Sequence, residues 1–115
     1  MASTTREIPR AEWQSYFDDF SRDLPDLAAT VEVLGAEVGA QVEAEQPLLA
    51  GVTYDHGDDI VVIGMDAGGD RHENLEHIVY HPQKIEVEEE DDAKTFNFED
   101  SEGLQTLLRL QPVTH

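Results

Sequence analysis

The sequence has no cysteine, two methionines, one tryptophan and only seven Lys and Arg residues among 115. It also contains no succession of 18 apolar residues. Each shortage removes a class of protein. Without Cys there is neither a disulfide framework nor thiolate chemistry, and five His alone are a poor basis for a closed structural zinc site. A direct nucleic-acid binder must displace phosphate counterions with a cationic surface, and a peripheral protein of anionic membranes needs the same sign. Both are excluded as expectations here. The polar Met-Ala-Ser-Thr-Thr start has no signal-like apolar stretch and nothing is long enough to span a bilayer, so a cytoplasmic protein is expected.

Against these shortages stand 26 Asp and Glu, which set the formal net charge at −19, about one uncompensated negative charge per six residues. The acids are spread evenly, eight in residues 1–40, nine in 41–80 and nine in 81–115, so they describe a uniformly acidic surface and not an acidic tail. A length of 115 suits one domain with one core. Hydrophobic residues make up 39% of the chain, which with this charge leans toward disorder on composition alone. Patterning argues the other way, because the apolar residues fall in alternating segments.

Residues 1–7 are expected to be a disordered leader, 8–112 a single domain and 113–115 a frayed tail. Pro9 suits the first position of a helix, and Trp13, Phe17, Phe20 and Leu24 recur at spacings of four, three and four on one face, ending before Pro25. Beyond Pro25 the period drops to two. Val31 and Val33 alternate with Thr30 and Glu32, and after a Gly35–Gly39 turn Ala40, Val42 and Ala44 alternate with Gln41, Glu43 and Glu45, which predicts a hairpin with one acidic face. Pro47 interrupts, and Leu48, Ala50, Val52 and Tyr54 lead to the turn at Asp55-His56-Gly57-Asp58. Ile60 to Ile63 is apolar without a break, as in a strand covered on both faces. Asp66 to Asn74, with Gly68-Gly69, is a loop; Leu75 to His81 is a strand closed by Pro82; Ile85 and Val87 mark another, and Glu88 to Asp92 an acidic connection. Phe96 and Phe98 pair with Thr106, Leu108 and Leu110 around Asp100-Ser101-Glu102-Gly103. The fold class is therefore α+β: one N-terminal amphipathic helix, then seven or eight short strands in a curled, mainly antiparallel sheet forming a barrel-like roll.

Ile8-Pro9-Arg10 with Trp13, Phe17-Asp18-Asp19-Phe20-Ser21-Arg22, Thr30 to Gly35 and Gly39 to Ala44 together resemble an uncharacterised family of small acidic bacterial proteins, the domain of unknown function family 5335. The Pro47-Leu48 to Gly51 stretch and the closing Leu107-Leu108-Arg109 strand fit as well. Where that family has Gly-Trp before the first strand of its alternating region, this sequence has Asp26-Leu27-Ala28. The resemblance implies a cytoplasmic bacterial single domain and carries over no functional residue.

Candidate chemistry is thin. Asp18 and Asp19 are adjacent on a helix and point about 100° apart, which suits an ion pair with Arg22 or Arg10 better than a catalytic carboxylate pair. His72, His77 and His81 with Asp66, Asp70 and Glu73 invite a metal, but on a strand His77 and His81 lie roughly 13 Å apart, too far for one ion without help from Asp55, His56 or Asp58. Asp55 to Asp59 and Glu88 to Asp92 lack calcium-loop spacing. Ser101 has no nucleophile elbow around it, and Gly64 to Gly69 lacks the Lys and helix of a phosphate loop. No residue is assigned a catalytic, cofactor-binding or metal-binding role, and no cofactor is expected. The leading reading is a non-enzymatic, highly acidic domain adapted to a salt-rich cytoplasm. The alternatives are an interaction protein that docks a basic partner as a nucleic-acid mimic, and a small-ligand carrier or enzyme using the loops at 55–59, 66–74 and 99–103. The expected state is a monomer or weak homodimer, with Pro47 and Pro82 discouraging edge pairing.

Overall fold

The computed structural model describes residues 3–35, 39–66 and 74–113. Two-residue periodicity governs most of them and gives eight strands: β1 (Ser3–Glu7), β2 (Leu27–Gly35), β3 (Gly39–Asp55), β4 (Ile60–Asp66), β5 (Asn74–Tyr80), β6 (Pro82–Glu90), β7 (Ala93–Asp100) and β8 (Gln105–Pro112). Between β1 and β2 a single 3-10 turn at Arg10–Glu12 leads into α1 (Trp13–Arg22). Short connections allow only antiparallel neighbours, and the strands form one open antiparallel sheet in the order β1-β6-β7-β8-β2-β3-β4-β5.

Two features curl this sheet. The 17-residue β3 pairs with β2 through Leu48 and then with β4 from Leu48 to Asp55, so one strand serves both halves. Its register slips opposite Ala28–Thr30, opposite Val31–Glu32 and again at Leu49–Gly51, and such bulges bend a strand and increase its twist. Pro47 sits in the first irregularity, where a missing N–H costs the ladder least. The second feature is the junction of β5 and β6. These strands stand eighth and second in the sheet order, yet only His81 separates them in sequence. The sheet must fold back on itself for one residue to span that gap, and His81 takes a left-handed φ of 53° to do so.

Helix α1 fills the concave side. Phe17, fully buried, lies with its ring 5.4 Å from Phe96 and 5.9 Å from Phe98, and Trp13 meets the ring of Tyr54 edge-on at 5.2 Å. Tyr16, Phe20 and Leu24 pack around this centre, half-buried. The aromatic stripe is therefore the domain's own core contact. One turn beyond Phe17 on the same side of the helix, Ser21 Oγ accepts from Val52 N–H and donates to Val52 C=O, both at 2.9 Å, satisfying backbone that lies past the end of the β2 pairing.

Several expectations are corrected. Residues 3–7 are not a disordered leader but β1, which pairs with Glu86 to Glu90; its ladder is continued by Ile8 N–H to Ile85 C=O. Backbone bonds and Arg6 lying over Tyr16, not alternating apolar residues, hold this strand, which is why periodicity does not reveal it. Ile60 and Val62 on the outer face of β4 are half-exposed, so only one face of that strand is covered. The acidic connection shortens to Asp91-Asp92, because Glu88 to Glu90 belong to β6. At the C-terminus β8 extends through Pro112, opposite Leu27, and Val113 N–H bonds Asp26 C=O. The closing hairpin follows expectation, with Phe96 opposite Leu108, Phe98 opposite Thr106 and Gly103 at φ 84°.

Truncating Phe17 to Ala should cost about 3–5 kcal/mol, the usual penalty for emptying a packed aromatic site. Ser21→Ala, which strands both polar groups of Val52, should cost about 1–3 kcal/mol. Urea denaturation of the two variants beside the parent chain measures both.

Candidate functional site

The densest polar contacts join residues far apart in sequence, at the corner where β5 turns into β6. The β3–β4 turn starts with Asp55, whose Oδ1 accepts from Gly57 N–H at 2.9 Å and Asp58 N–H at 3.3 Å, a local arrangement that Asp favours. The turn ends on Asp59 with a left-handed φ of 54°. That conformation aims its carboxylate at Tyr54, whose hydroxyl donates to Oδ1 at 2.8 Å. Arg10 Nη1 stands 3.6 Å from the same oxygen, and His81 Nδ1 is 3.5 Å from Oδ2. Arg10 also donates from Nη2 to Pro82 C=O at 2.9 Å and lies 4.4 Å over the Trp13 ring, while Trp13 Nε1 donates to Ile8 C=O. The backbone completes the knot: His81 N–H bonds Asp59 C=O and Ser101 N–H bonds His81 C=O. Three turns and the start of the helix thus meet at two residues, Asp59 and His81, both in a conformation that costs roughly 1–3 kcal/mol unless surroundings impose it.

The electrostatics follow from these contacts. The Tyr54 hydroxyl bond, which outweighs the opposing cost of partial burial and is reinforced by His81 and Arg10, holds the Asp59 carboxyl below the usual aspartate range. Burial, then the hydrogen bond and charge of Asp59, push Tyr54 above the usual phenol range despite Arg10 nearby. Tyr16 is raised as well, first by burial. A hydroxyl so raised is a poor nucleophile or base near neutral pH, and an ionised carboxylate already engaged by three neighbours is a structural anion.

Two hollows flank the corner. One, of about 730 Å³, is lined by Arg10, Ala11, Gln14, Tyr54, His56 and Asp59. The other, of about 390 Å³, runs between residues 77–81 and the β7–β8 turn at Asp100 to Glu102, with Leu104 and Thr106 beneath. Their sizes suit small ligands or short peptide segments. In the first, Arg10, Tyr54 and Asp59 are spent on one another.

The structure separates most residues that the sequence puts forward. Asp19 pairs with Arg22 at 3.3 Å, both on the exposed side of α1. His77 lies on β5 and His81 at the corner, whereas Asp70, His72 and Glu73 fall outside the described residues. Among the described residues no three His, Asp or Glu side chains converge on a metal position. Of the three loops considered together, 55–59 and 99–103 do meet, through His81. The flanks of the third, Asp66 and Asn74, pair with each other at the far end of β4, about 20 Å along the strand. The concave side behind them is occupied by Trp13, Phe17, Phe96 and Phe98, all buried, and the hollows that these loops line lie to either side of the corner. No sequence motif links Arg10, Tyr54, Asp59 and His81, which are spread over 71 positions and meet at Asp59.

Asp59 gives the fold a signed pH dependence. A carboxyl held low when folded contributes stability that is present above its unfolded value, near 3.9, and lost as pH falls through the folded value. Asp59→Asn should therefore destabilise at pH 7 by roughly 1–2 kcal/mol. The gap to the parent chain should shrink below about pH 4, as urea midpoints at pH 7 and pH 3 would reveal.

Known proteins add identity without activity. The chain matches the family of unknown function DUF5335 over residues 4–114. An uncharacterized protein of Aquifex aeolicus is 39% identical over 109 residues, which is 94% of this chain and 93% of that protein. No solved structure matches. With the match spanning the strands, the helix and the corner alike, the chain belongs to the DUF5335 family, whose function is unknown.

Proposed function

We propose that this chain is a non-enzymatic acidic domain whose excess carboxylates serve solvation in a salt-rich cytoplasm. The observation that carries the reading is how the few bases are used. Every described Lys and Arg is already engaged within the chain: Arg6 with Tyr16, Arg10 with Asp59, Arg22 with Asp19, Lys84 with Glu86, Lys94 with Glu89, and Arg109 with Glu32. Glu88, Glu90, Asp91 and Asp92 are exposed around the β6–β7 turn, and no cation pairs with them among the described residues. Close like charges repel by on the order of 1 kcal/mol per pair in water and less once screened. Among the described residues no helix is long and apolar enough to cross a membrane, and the polar corner is self-satisfied.

A second reading, docking of a basic partner, is favoured by the groove beside β5, whose rim carries Asp100 and Glu102. The carrier reading loses its main support with the filled concave side.

On the first reading the thermal midpoint should climb steadily between 50 mM and 2 M KCl. A midpoint that stays flat or falls across that range would remove the reading.

A further inference from the structure

We propose that the free edge of β5 is a strand-addition site for an extended, cationic peptide segment of a partner protein. This rests on the second reading above and gives that docking event a place and a geometry. β5 pairs with β4 along all of its residues from Asn74 to Tyr80, and it is the last strand of the sheet, so among the described residues no strand pairs with its other edge. Exposed edges are commonly blunted by proline, by several charges or by extreme shortness. Here the strand is seven residues long, has no proline and carries one acid, Glu76. Pro47 and Pro82, expected to guard the edges, lie instead inside β3 and at the corner.

The surroundings of that edge define what fits. The groove of about 390 Å³ follows residues 77–81, and its opposite wall is the β7–β8 turn. The walls touch where Ser101 N–H bonds His81 C=O, and among the described residues no ladder continues from there along β5. Asp100 and Glu102 make the rim anionic; Leu104 and Thr106 lie below. On the outer face Ile78 stands beside Val62 and Tyr80 beside Ile60, and Tyr80 is 60% exposed. An added strand alternates its side chains between two faces. One set would lie against Ile78 and Tyr80 and would be apolar; the other would meet Asp100 and Glu102 and would be Lys or Arg. A second copy of this chain, itself at −19, is the wrong charge for such a rim.

The test uses a capped eight-residue peptide of alternating Arg and Val carrying a neutral fluorophore, titrated against the full chain at 50 mM KCl. Its control has alternate backbone amides methylated, which prevents strand addition. Binding is read by anisotropy and located by amide NMR shifts. The proposal expects shifts confined to residues 75–81 and 100–106 and no binding of the methylated peptide. Glu102→Lys should weaken binding about threefold or more, whereas Glu90→Lys, at the far end of β6, should leave it unchanged. Glu102 donates only its backbone N–H to the turn, so that variant keeps the fold. Shifts spread over the whole acidic surface, equal losses from the two variants, or undiminished binding of the methylated peptide would overturn the strand-addition site while leaving a basic partner in place. Absence of binding by either peptide would overturn both.

Discussion

Everything in this fold depends on one packing contact, the seating of Phe17 against Phe96 and Phe98 on the concave side of a bent sheet. An eight-stranded antiparallel sheet with one apolar face must close on itself, stack on a second sheet or be covered. Here a ten-residue helix covers it. The helix brings Trp13 to Tyr54 and Ser21 to the backbone of Val52, so a single amphipathic face supplies the core, an aromatic pair and the missing partner of a sheet edge. Because the helix occupies the concave side, the open surfaces are outward ones: a half-exposed apolar strip on β4 and β5, the two hollows at the corner, and the acids.

The corner at His81 is the second constraint, and it follows from the first. Wrapping the sheet around a helix brings β5 and β6 together although five strands lie between them in the hydrogen-bonded order. A one-residue connection leaves no room for a relaxed turn, so His81 and, opposite it, Asp59 adopt left-handed backbones. The side chains thereby brought together, Asp59, Tyr54 and Arg10, neutralise and hydrogen-bond one another. Perturbed ionisable groups in a strained turn often mark a catalytic site. At this corner Asp59 is held low first by the Tyr54 hydroxyl and Tyr54 is raised first by burial, and their shared hydrogen bond ties the β3–β4 turn to the end of β3.

Legibility in the sequence tracks how local each determinant is. The helix was readable because Trp13, Phe17, Phe20 and Leu24 repeat at helical spacing, and the β7–β8 hairpin because Gly103 punctuates two alternating runs. β1 was not, since Ser3 to Glu7 has no apolar repeat and is held by the edge of β6, some 80 residues away. Pro47 looked like a break and proved to be a bulge, because a bend in β3 is set by pairing with both β2 and β4. Nor could the unbroken Ile60 to Ile63 run say how many of its faces were covered. Asp59 was legible as one acid in an acidic turn; its role needed Arg10 and His81, which only the curl delivers. For the acids, Glu88 to Glu90 read as part of a connection because nothing apolar alternates with them, and both their place in β6 and the pairing of every described base required the strand order.

Whether the interior is as solid as this packing indicates decides between surfaces and cavities as the seat of function. Native-state amide hydrogen exchange addresses it residue by residue. If the helix is an inseparable part of the core, the amides of Phe17 to Ser21 will open with the same free energy as those of Phe96 and Phe98, and only by global unfolding. Exchange in the helix a hundredfold or more faster than in β7, with the sheet amides still protected, would show that the helix lifts away as a unit and exposes an inner cavity, which would contradict the solid core.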